Sequence, residues 1–132
     1  MGVPVRLRWA AASLVVVAAG LASRHPMAPS AVRAWAGDVL YAVMAWCLVG
    51  VVAPGASAGA RAIAALVFCW SVEVSQLVGW APLDAVRAHR VGALVLGRGF
   101  LWSDIALYAV GIVSCLAFEL LRTRPTGPGP FR

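Results

Sequence analysis

Four apolar stretches of roughly membrane length constrain the fold of this chain more than any other feature. They cover residues 9–22, 35–53, 62–78 and 101–121. A helix needs about 20 apolar residues, within a range of about 17–25, to cross the hydrocarbon core of a bilayer. The last three stretches meet this length, and the first is shorter, at 14 residues. The pattern predicts membrane-spanning helices joined by short loops.

The composition is incompatible with a soluble globular fold for so short a chain. Hydrophobic residues make up 62% of the 132 residues and charged residues 12%, whereas soluble domains have about 45–50% and about 25%. A chain of this length has too small a core to bury that much apolar surface. We therefore predict an all-α, polytopic membrane protein whose main partner is the lipid bilayer.

The first stretch has two interpretations. It follows Arg6 and Arg8 and ends at Gly20-Leu21-Ala22, a pattern typical of a cleaved secretory signal. It also suits a retained helix if the long side chain of Arg24 reaches the interface. We favour the retained helix, which gives four spans in one domain of residues 1–122. The Pro- and Gly-rich residues 123–132 predict a disordered tail.

Residues 79–100 are the least regular part of the chain. Proline suits the first turn of a helix, so Pro82 predicts a short helix through Arg90. Glycines at positions 92, 97 and 99 interrupt the next apolar run, 91–96, which is too short to cross a bilayer. Irregular backbone is tolerated at membrane depth only where protein covers it. We therefore predict an interfacial or re-entrant segment before the last span.

Polar side chains within and beside the spans predict a pocket at one membrane face. Glu73 and Gln76 lie three residues apart in the third stretch and so project from one side of a helix. An acid at mid-membrane costs about 2.5–3.5 kcal/mol, so another part of the chain must stabilise it. With four crossings, the first and third loops emerge at the same face. The candidate ligand-binding residues gathered there are Arg24, Asp38, Tyr41, Glu73, Gln76, Arg87, Asp104 and Tyr108.

Several of these residues also have structural interpretations. Asp38 and Asp104 lie near predicted helix starts, where a carboxylate satisfies free amide groups and favours the helix dipole. Glu73 has no predicted helix start beside it. A salt bridge from Glu73 to Arg24 or Arg87, a ligand contact and a proton-transfer role therefore all stay open.

Other polar and aromatic residues predict ordinary structural roles. Glu119 and Arg122 are spaced for an i,i+3 surface pair at the end of the last span. Trp46 and Trp70 lie deep within spans, which favours core packing. The three cysteines lack C-x-x-C spacing and are expected to behave as small buried hydrophobic residues.

The charge pattern disfavours the common soluble functions. The net charge is +6, but the arginines flank the apolar stretches, as membrane-anchoring cations do, and do not form a nucleic-acid patch. His25 and His89 show no metal-ligand spacing, and no phosphate loop, nucleophile elbow or dinucleotide fingerprint is present. We predict no metal, no cofactor and no nucleic-acid partner, and we leave enzymatic activity open while favouring its absence. Six arginines on the opposite side against five on the pocket side favour an external pocket.

Several segments of this chain, most of them around the candidate ligand-binding residues, together resemble those of a bacterial membrane-protein family known as domain of unknown function 2809. The likeness covers residues 21–111 and implies a small multi-span inner-membrane protein without an established activity. The chain is more distantly similar to VanZ-like proteins, which are linked to teicoplanin resistance, although Tyr108 stands where that family tends to carry asparagine. The matching segments are Ser23-Arg24, Gly37-Asp38-Val39-Leu40-Tyr41-Ala42, Glu73-Val74-Ser75-Gln76-Leu77, Leu83-Asp84-Ala85-Val86-Arg87, Leu96-Gly97, Phe100 and Asp104-Ile105-Ala106-Leu107-Tyr108-Ala109-Val110-Gly111.

The predicted function is binding of an amphipathic or lipid-linked envelope ligand at the bacterial cytoplasmic membrane. Arg24 and Arg87 would hold anionic groups, and Glu73 and Gln76 would orient polar ones. The alternative is a structural or partner subunit of a membrane complex, in which the acids and arginines only lock the helices together. The sequence does not indicate an oligomeric state.

Overall fold

The computed structural model describes residues 3–123, in which every regular element is a helix. A π-helical turn, Val32–Ala36, runs into the second helix without a break. Thr123 caps the last helix, since its Oγ1 donates to the Glu119 carbonyl at 3.0 Å, and the rest of the predicted tail, residues 124–132, lies outside the described residues. The helices are α1 (Val5–Ser23), α2 (Gly37–Val52), α3 (Ala58–Ser75), α4 (Ala81–Ala88), α5 (Arg90–Leu96) and α6 (Trp102–Arg122).

Four of these helices are long and apolar enough to cross a membrane: Val5–Ser23, Val32–Val52, Ala58–Ser75 and Trp102–Arg122. The predicted all-α, four-span architecture is confirmed. The first helix begins four residues earlier than the apolar pattern indicates, since arginine is a good helix former and Arg6 and Arg8 extend it. Its retention in the mature protein stays a prediction.

Small residues let the spanning helices approach one another closely. α2 packs against α1, α3 and α6, and α3 packs against α6. At the α2–α6 contact, a Cβ on Gly111 would lie 2.9 Å from the Ala42 Cβ, so glycine is required there. Small residues at helix interfaces are how membrane helices gain packing contacts without a hydrophobic driving force. The core consists of Ala42, Ala45, Trp46, Cys47, Ala62, Ala65, Cys69, Tyr108 and Ile112.

The two deep tryptophans behave differently. Trp46 is 3% exposed, which confirms its predicted place in the core. The same prediction for Trp70 is wrong, because that side chain is 39% exposed. Its indole N–H donates to the Ile105 carbonyl at 3.4 Å, so Trp70 fastens the outside of α3 to α6.

A buried arginine ties the helices together at the end opposite the third loop. Arg61 is 3% exposed, and its Nη1 donates to Glu119 Oε2 at 2.6 Å. Its guanidinium carbon lies 4.6 Å from the Trp9 ring centre and 5.3 Å from that of Trp46. The predicted Glu119–Arg122 pair is therefore wrong. The start of α3 lies beside the end of α6, so the Glu119 carboxylate forms its ion pair with Arg61 and not with Arg122.

The third loop contains two short helices instead of the single one expected through Arg90. The break falls at His89, whose backbone is extended (φ −84°, ψ 145°). Gly92 allows α5 to turn back on α4, because a Cβ there would overlap the Val86 carbonyl. α4 has eight residues and α5 seven, so both are too short to cross a bilayer, as expected of an interfacial or re-entrant segment.

Candidate functional site

The ends of the four spans beside the third loop enclose a cavity of about 450 Å³, hereafter the polar cavity. All the predicted site residues except Arg87 line it, so the four crossings do gather these residues at one end of the bundle. The chain segment 90–99, hereafter the roof, covers one side. The lining residues beyond those predicted are Val72, Arg90, Ala93, Leu94, Val95, Gly97, Arg98 and Gly99.

Arg87 lies outside the polar cavity and fastens α4 to the end of α3. Its Nη2 donates to Ser75 Oγ at 2.9 Å, and its Nη1 donates to Asp84 Oδ1 at 3.2 Å. The side chain is almost completely buried in these contacts. Arg87 thus forms a local ion pair with Asp84, whereas the structure does not bring Arg87 to Glu73.

Glu73 is fully buried at the floor of the polar cavity and is satisfied by neutral donors. The Leu101 N–H donates to its Oε1 at 2.8 Å, while Gln76 Nε2 and the Tyr108 hydroxyl donate to its Oε2 at 2.8 Å and 3.2 Å. Within residues 3–123 no cation lies within 4.0 Å of this carboxylate. The salt bridge from Glu73 to Arg24 or Arg87 is therefore wrong. A carboxylate has about four acceptor sites, and three of these are filled from within the protein.

The contacts of Glu73 join the end of α3 to the start of α6. Leu101 is the residue that immediately precedes α6, so its N–H is one of the donors that a helix start leaves free. The carboxylate also lies at the positive end of the α6 dipole, where an acidic side chain stabilises a helix start. Glu73 on α3 thus stabilises the start of a different helix, α6. This contact is not evident from the sequence, because Glu73 and Leu101 are far apart in the chain.

Gln76 connects this network to the roof. Its Oε1 accepts from the Gly99 N–H at 2.5 Å, while its Nε2 donates to Glu73. Gly97 has φ +68° and ψ 177°, a conformation that is essentially restricted to glycine. A Cβ on Gly97 would also lie 2.6 Å from Gln76 Nε2. Both the backbone conformation and the close approach therefore require glycine here.

Replacing Gly97 by alanine should destabilise the roof. We expect a loss of about 1–3 kcal/mol in the free energy of unfolding, because the new Cβ strains the backbone and displaces Gln76. Gly99→Ala is the matched control, since Gly99 lies two residues away with nothing within 4 Å of a Cβ. Equilibrium unfolding in mixtures of bicelles and SDS measures both. Equal losses in the two variants would contradict this account of Gly97.

Two tyrosines form the wall between the floor and the roof. The Tyr41 hydroxyl donates to the Val95 carbonyl at 2.8 Å, which holds the last turn of α5 over α2. The Tyr41 and Tyr108 rings lie 5.7 Å apart, centre to centre, at 42°. A tilted aromatic pair at this distance is favourable beyond its buried area. Tyr41 and Gln76 are thus the two side chains that anchor the roof to the spans.

The remaining charged groups of the polar cavity are not paired with one another. Asp38, half-buried, is close enough to interact electrostatically with Asp104 and Arg24. The guanidinium of Arg24 lies beside Gly37, about 3.5–3.9 Å from where a Cβ would stand. The two ion pairs within residues 3–123 are Arg61–Glu119 and Arg87–Asp84, and both lie elsewhere. Acids and arginines therefore line this cavity with their hydrogen-bonding capacity largely free.

Helix capping does not explain Asp38. The helix that carries it begins at Ser30, so the amide groups next to Asp38 are already within the helix. Asp104 does lie in the first turn of α6, where a carboxylate favours the dipole. Within residues 3–123 its recorded partner is the Ser103 hydroxyl, at 3.1 Å, and not a backbone amide.

The sequence interpretation missed the contribution of the roof. Arg90 and Arg98 both line the polar cavity, but neither is among the site residues that the sequence predicts. The signal was Gly97-Arg98-Gly99, an arginine between two glycines directly before a span. Among residues 3–123, no group of three or more His, Cys, Asp or Glu side chains is arranged to hold a metal ion. The cavity is equipped to bind charged and hydrogen-bonding groups.

Comparison with known proteins assigns a family and no close structural relative. A family model described as Protein of unknown function (DUF2809) matches residues 27–112. This range covers α2 to the middle of α6 and so includes every predicted site residue except Arg24. No solved structure matches the chain.

Proposed function

This chain belongs to the family of proteins of unknown function DUF2809, and we propose that it binds an amphipathic ligand whose anionic headgroup enters the polar cavity. The chain is a multi-pass membrane protein by its four apolar helices, and the cavity lies at one end of those helices. A ligand there can keep a polar group among the charged residues while its apolar part stays in lipid. A lipid-linked envelope precursor is the kind of molecule that combines both parts.

The observation that carries the proposal is the set of three arginines in one cavity without an acid bound to any of them. Arg24, Arg90 and Arg98 line it, and none forms an ion pair within residues 3–123. The arginine guanidinium binds phosphate and carboxylate groups through paired hydrogen bonds. Asp38 and Asp104 would accept hydrogen bonds from hydroxyl or amino groups of the same headgroup.

The proposal changes the roles first expected for several residues. Arg87 is replaced by Arg90 and Arg98 as a partner for anionic groups, because Arg87 is held by Ser75 and Asp84. Glu73 is fully buried, so we assign it to positioning the cavity rather than to contact with the ligand. The arginine count further favours the outer face of a bacterial cytoplasmic membrane.

The competing proposal is a structural or partner subunit of a membrane complex. The Arg61–Glu119 ion pair and the buried Glu73 network favour it, since both join helices that are distant in sequence. It assigns the cavity charges to holding the helices together. Removing one of those charges should then reduce stability and leave lipid binding unchanged.

Replacing Arg24 or Arg98 by methionine, one at a time, should separate the two proposals. We expect retention of anionic lipid to fall at least about tenfold, because one charge-assisted hydrogen-bonding group is worth about 1.5–3 kcal/mol. The free energy of unfolding should change by less than about 0.5 kcal/mol, since neither side chain forms an ion pair within residues 3–123. Native mass spectrometry of protein released from mixed anionic and zwitterionic bilayers measures the first quantity, and unfolding in bicelle–SDS mixtures the second.

Arg33→Met is the matched control for both variants. Arg33 lies on the same membrane face and is exposed, but it bonds the Pro26 carbonyl at 3.3 Å and does not line the cavity. Its replacement should leave lipid retention unchanged. A similar loss of lipid retention in all three variants would mean that retention depends on the overall positive charge of this face and not on the cavity. Unchanged retention together with a large loss of stability in the cavity variants would favour the structural subunit.

A further inference from the structure

An apolar groove of about 280 Å³ runs beside the polar cavity, between α1, α2 and α5. Val17 and Gly20 contribute the α1 side, Leu40 and Met44 the α2 side, and Val91 part of the α5 side. Almost all of its lining is hydrocarbon, in contrast to the charged cavity next to it. We call it the apolar groove.

The groove lies next to the polar cavity, and Arg24, Tyr41, Leu94 and Val95 line both. Arg24 therefore stands between the two. Long arginine side chains favour this position, because the apolar stem stays in lipid while the charged end reaches a polar group.

Two structural features keep the groove open. Gly20 has no side chain, and a Cβ there would already be in van der Waals contact, 3.9 Å from the Leu40 Cβ, so the absence of a side chain leaves this space to the groove. α5 packs chiefly on α4, and it is held over the spans from one side by the hydrogen bond from Tyr41 to Val95. The third wall is thus fixed at a distance from α1 and does not collapse onto it.

We propose that the apolar groove holds the hydrocarbon chain of the ligand whose anionic headgroup lies in the polar cavity, and that this ligand has a single chain. The inference rests on the proposed function and names its ligand class, an amphiphile with one chain and a phosphate or carboxylate head. Arg24 contacts the head where the chain begins. Because the anionic head pairs with the positive charge of Arg24, the ligand lies with its head in the polar cavity and its chain in the apolar groove.

The surroundings of Arg24 disfavour a two-chain lipid. Both chains of such a lipid start close to the headgroup, so the second would begin beside Arg24 as well. There it meets Asp38 on one side and the closed contact between Tyr41 and Val95 on the other. An apolar chain packed against the Asp38 side chain would remove water from this charged group, which costs free energy.

The test uses the whole protein in nanodiscs of dioleoylphosphatidylcholine and four added probes. Oleoyl lysophosphatidic acid has one chain and a phosphate, dioleoylphosphatidic acid has two chains and a phosphate, mono-oleoylglycerol has the chain alone, and inorganic phosphate is the head alone. Native mass spectrometry after release reports which probe is retained. We expect the one-chain phosphate to be retained at least about tenfold over each of the others, a difference of about 1.4 kcal/mol.

Substitutions that fill the groove should abolish this preference. Gly20→Phe places a ring in the groove, and Val17→Trp does so one turn away if Gly20→Phe fails to fold. Leu14→Phe is the control on the same helix, since Leu14 is 71% exposed and does not line the groove. Retention of the one-chain phosphate should fall about tenfold in both groove variants and stay unchanged in the control.

The outcomes separate this inference from the proposed function. If both phosphate lipids are retained equally and the folded groove variants retain them as well, the inference is wrong, while loss in Arg24→Met still supports the proposed function. If inorganic phosphate is retained as well as the one-chain lipid, the site takes a free anion and the chain contributes nothing. If Arg24→Met retains every probe, the proposed function itself is wrong.

Discussion

Replacing Arg61 by methionine should cost about 3–5 kcal/mol in the free energy of unfolding, the largest effect that we expect for a single substitution. The arginine is 3% exposed and bonds Glu119 and the Ala56 carbonyl. Methionine fills a similar volume, but it leaves the Glu119 carboxylate without the cation that pairs with it. Breaking one member of a buried pair costs this much because the remaining charge is uncompensated. Since the Glu119 side chain is 29% exposed and retains some water, we expect the lower end of the range.

A second substitution separates the loss of the pair from a loss of packing. Removing both charges, in Arg61→Met with Glu119→Leu, should recover most of the stability, because apolar replacement of a whole buried pair is often neutral. Arg122→Met is the control for charge at the same helix end, since its guanidinium lies over the Phe118 ring at the surface. Equilibrium unfolding in bicelle–SDS mixtures measures all three. A double variant no more stable than Arg61→Met alone would contradict the ion-pair explanation.

The sequence predicts the spans and the convergence of the cavity residues because both follow from length and connectivity. A stretch of about 20 apolar residues has few alternatives to a membrane helix. Once four helices cross, the residues at the end of α1, the start of α2, the end of α3 and the start of α6 must share a face. Arg24, Asp38, Glu73 and Asp104 are therefore placed correctly without any knowledge of packing.

Partner choice within one face depends on distances of a few ångströms, which connectivity does not determine. Glu73 and Arg24 share the cavity, yet the carboxylate bonds the Leu101 N–H and two side chains on α3 and α6. The sequence offers no pattern for a side chain that caps another helix. The partners of Arg61 are not predicted either. In the sequence it resembles a membrane-flanking cation near the start of α3, but its guanidinium lies over the rings of two tryptophans.

The roof was predicted least well, and its glycines explain why. Gly92, Gly97 and Gly99 are equivalent in the sequence as breaks in an apolar run. In the structure Gly92 lies against the α4 backbone, Gly97 has a positive φ beneath Gln76, and Gly99 has open space on its Cβ side. Three identical residues thus have three different reasons to be present. Arg98, which stands between the last two glycines, lines the polar cavity.

Glu73→Gln should destabilise the protein by about 2–4 kcal/mol, although it keeps the number of non-hydrogen atoms and almost the same volume. Three donors point at the carboxylate: the Leu101 N–H, Gln76 Nε2 and the Tyr108 hydroxyl. An amide has one acceptor oxygen, so its NH₂ group must face at least one of these donors in either orientation. Hydrogen bonds to a charged group are worth about 1.5–3 kcal/mol, and a buried donor left without an acceptor costs about 1–3 kcal/mol.

The control for Glu73→Gln is Tyr108→Phe, which removes one donor and keeps the charge. The carboxylate then retains the Leu101 N–H and Gln76 Nε2, so we expect a smaller loss, about 1.5 kcal/mol, the low end of the range for one hydrogen bond to a charged group. In Glu73→Gln, hydrogen exchange at the Leu101 and Gly99 amides should accelerate as well, because both depend on the network that Glu73 and Gln76 form. A Glu73→Gln protein as stable as the unsubstituted chain would contradict the role of the Glu73 charge in holding the start of α6.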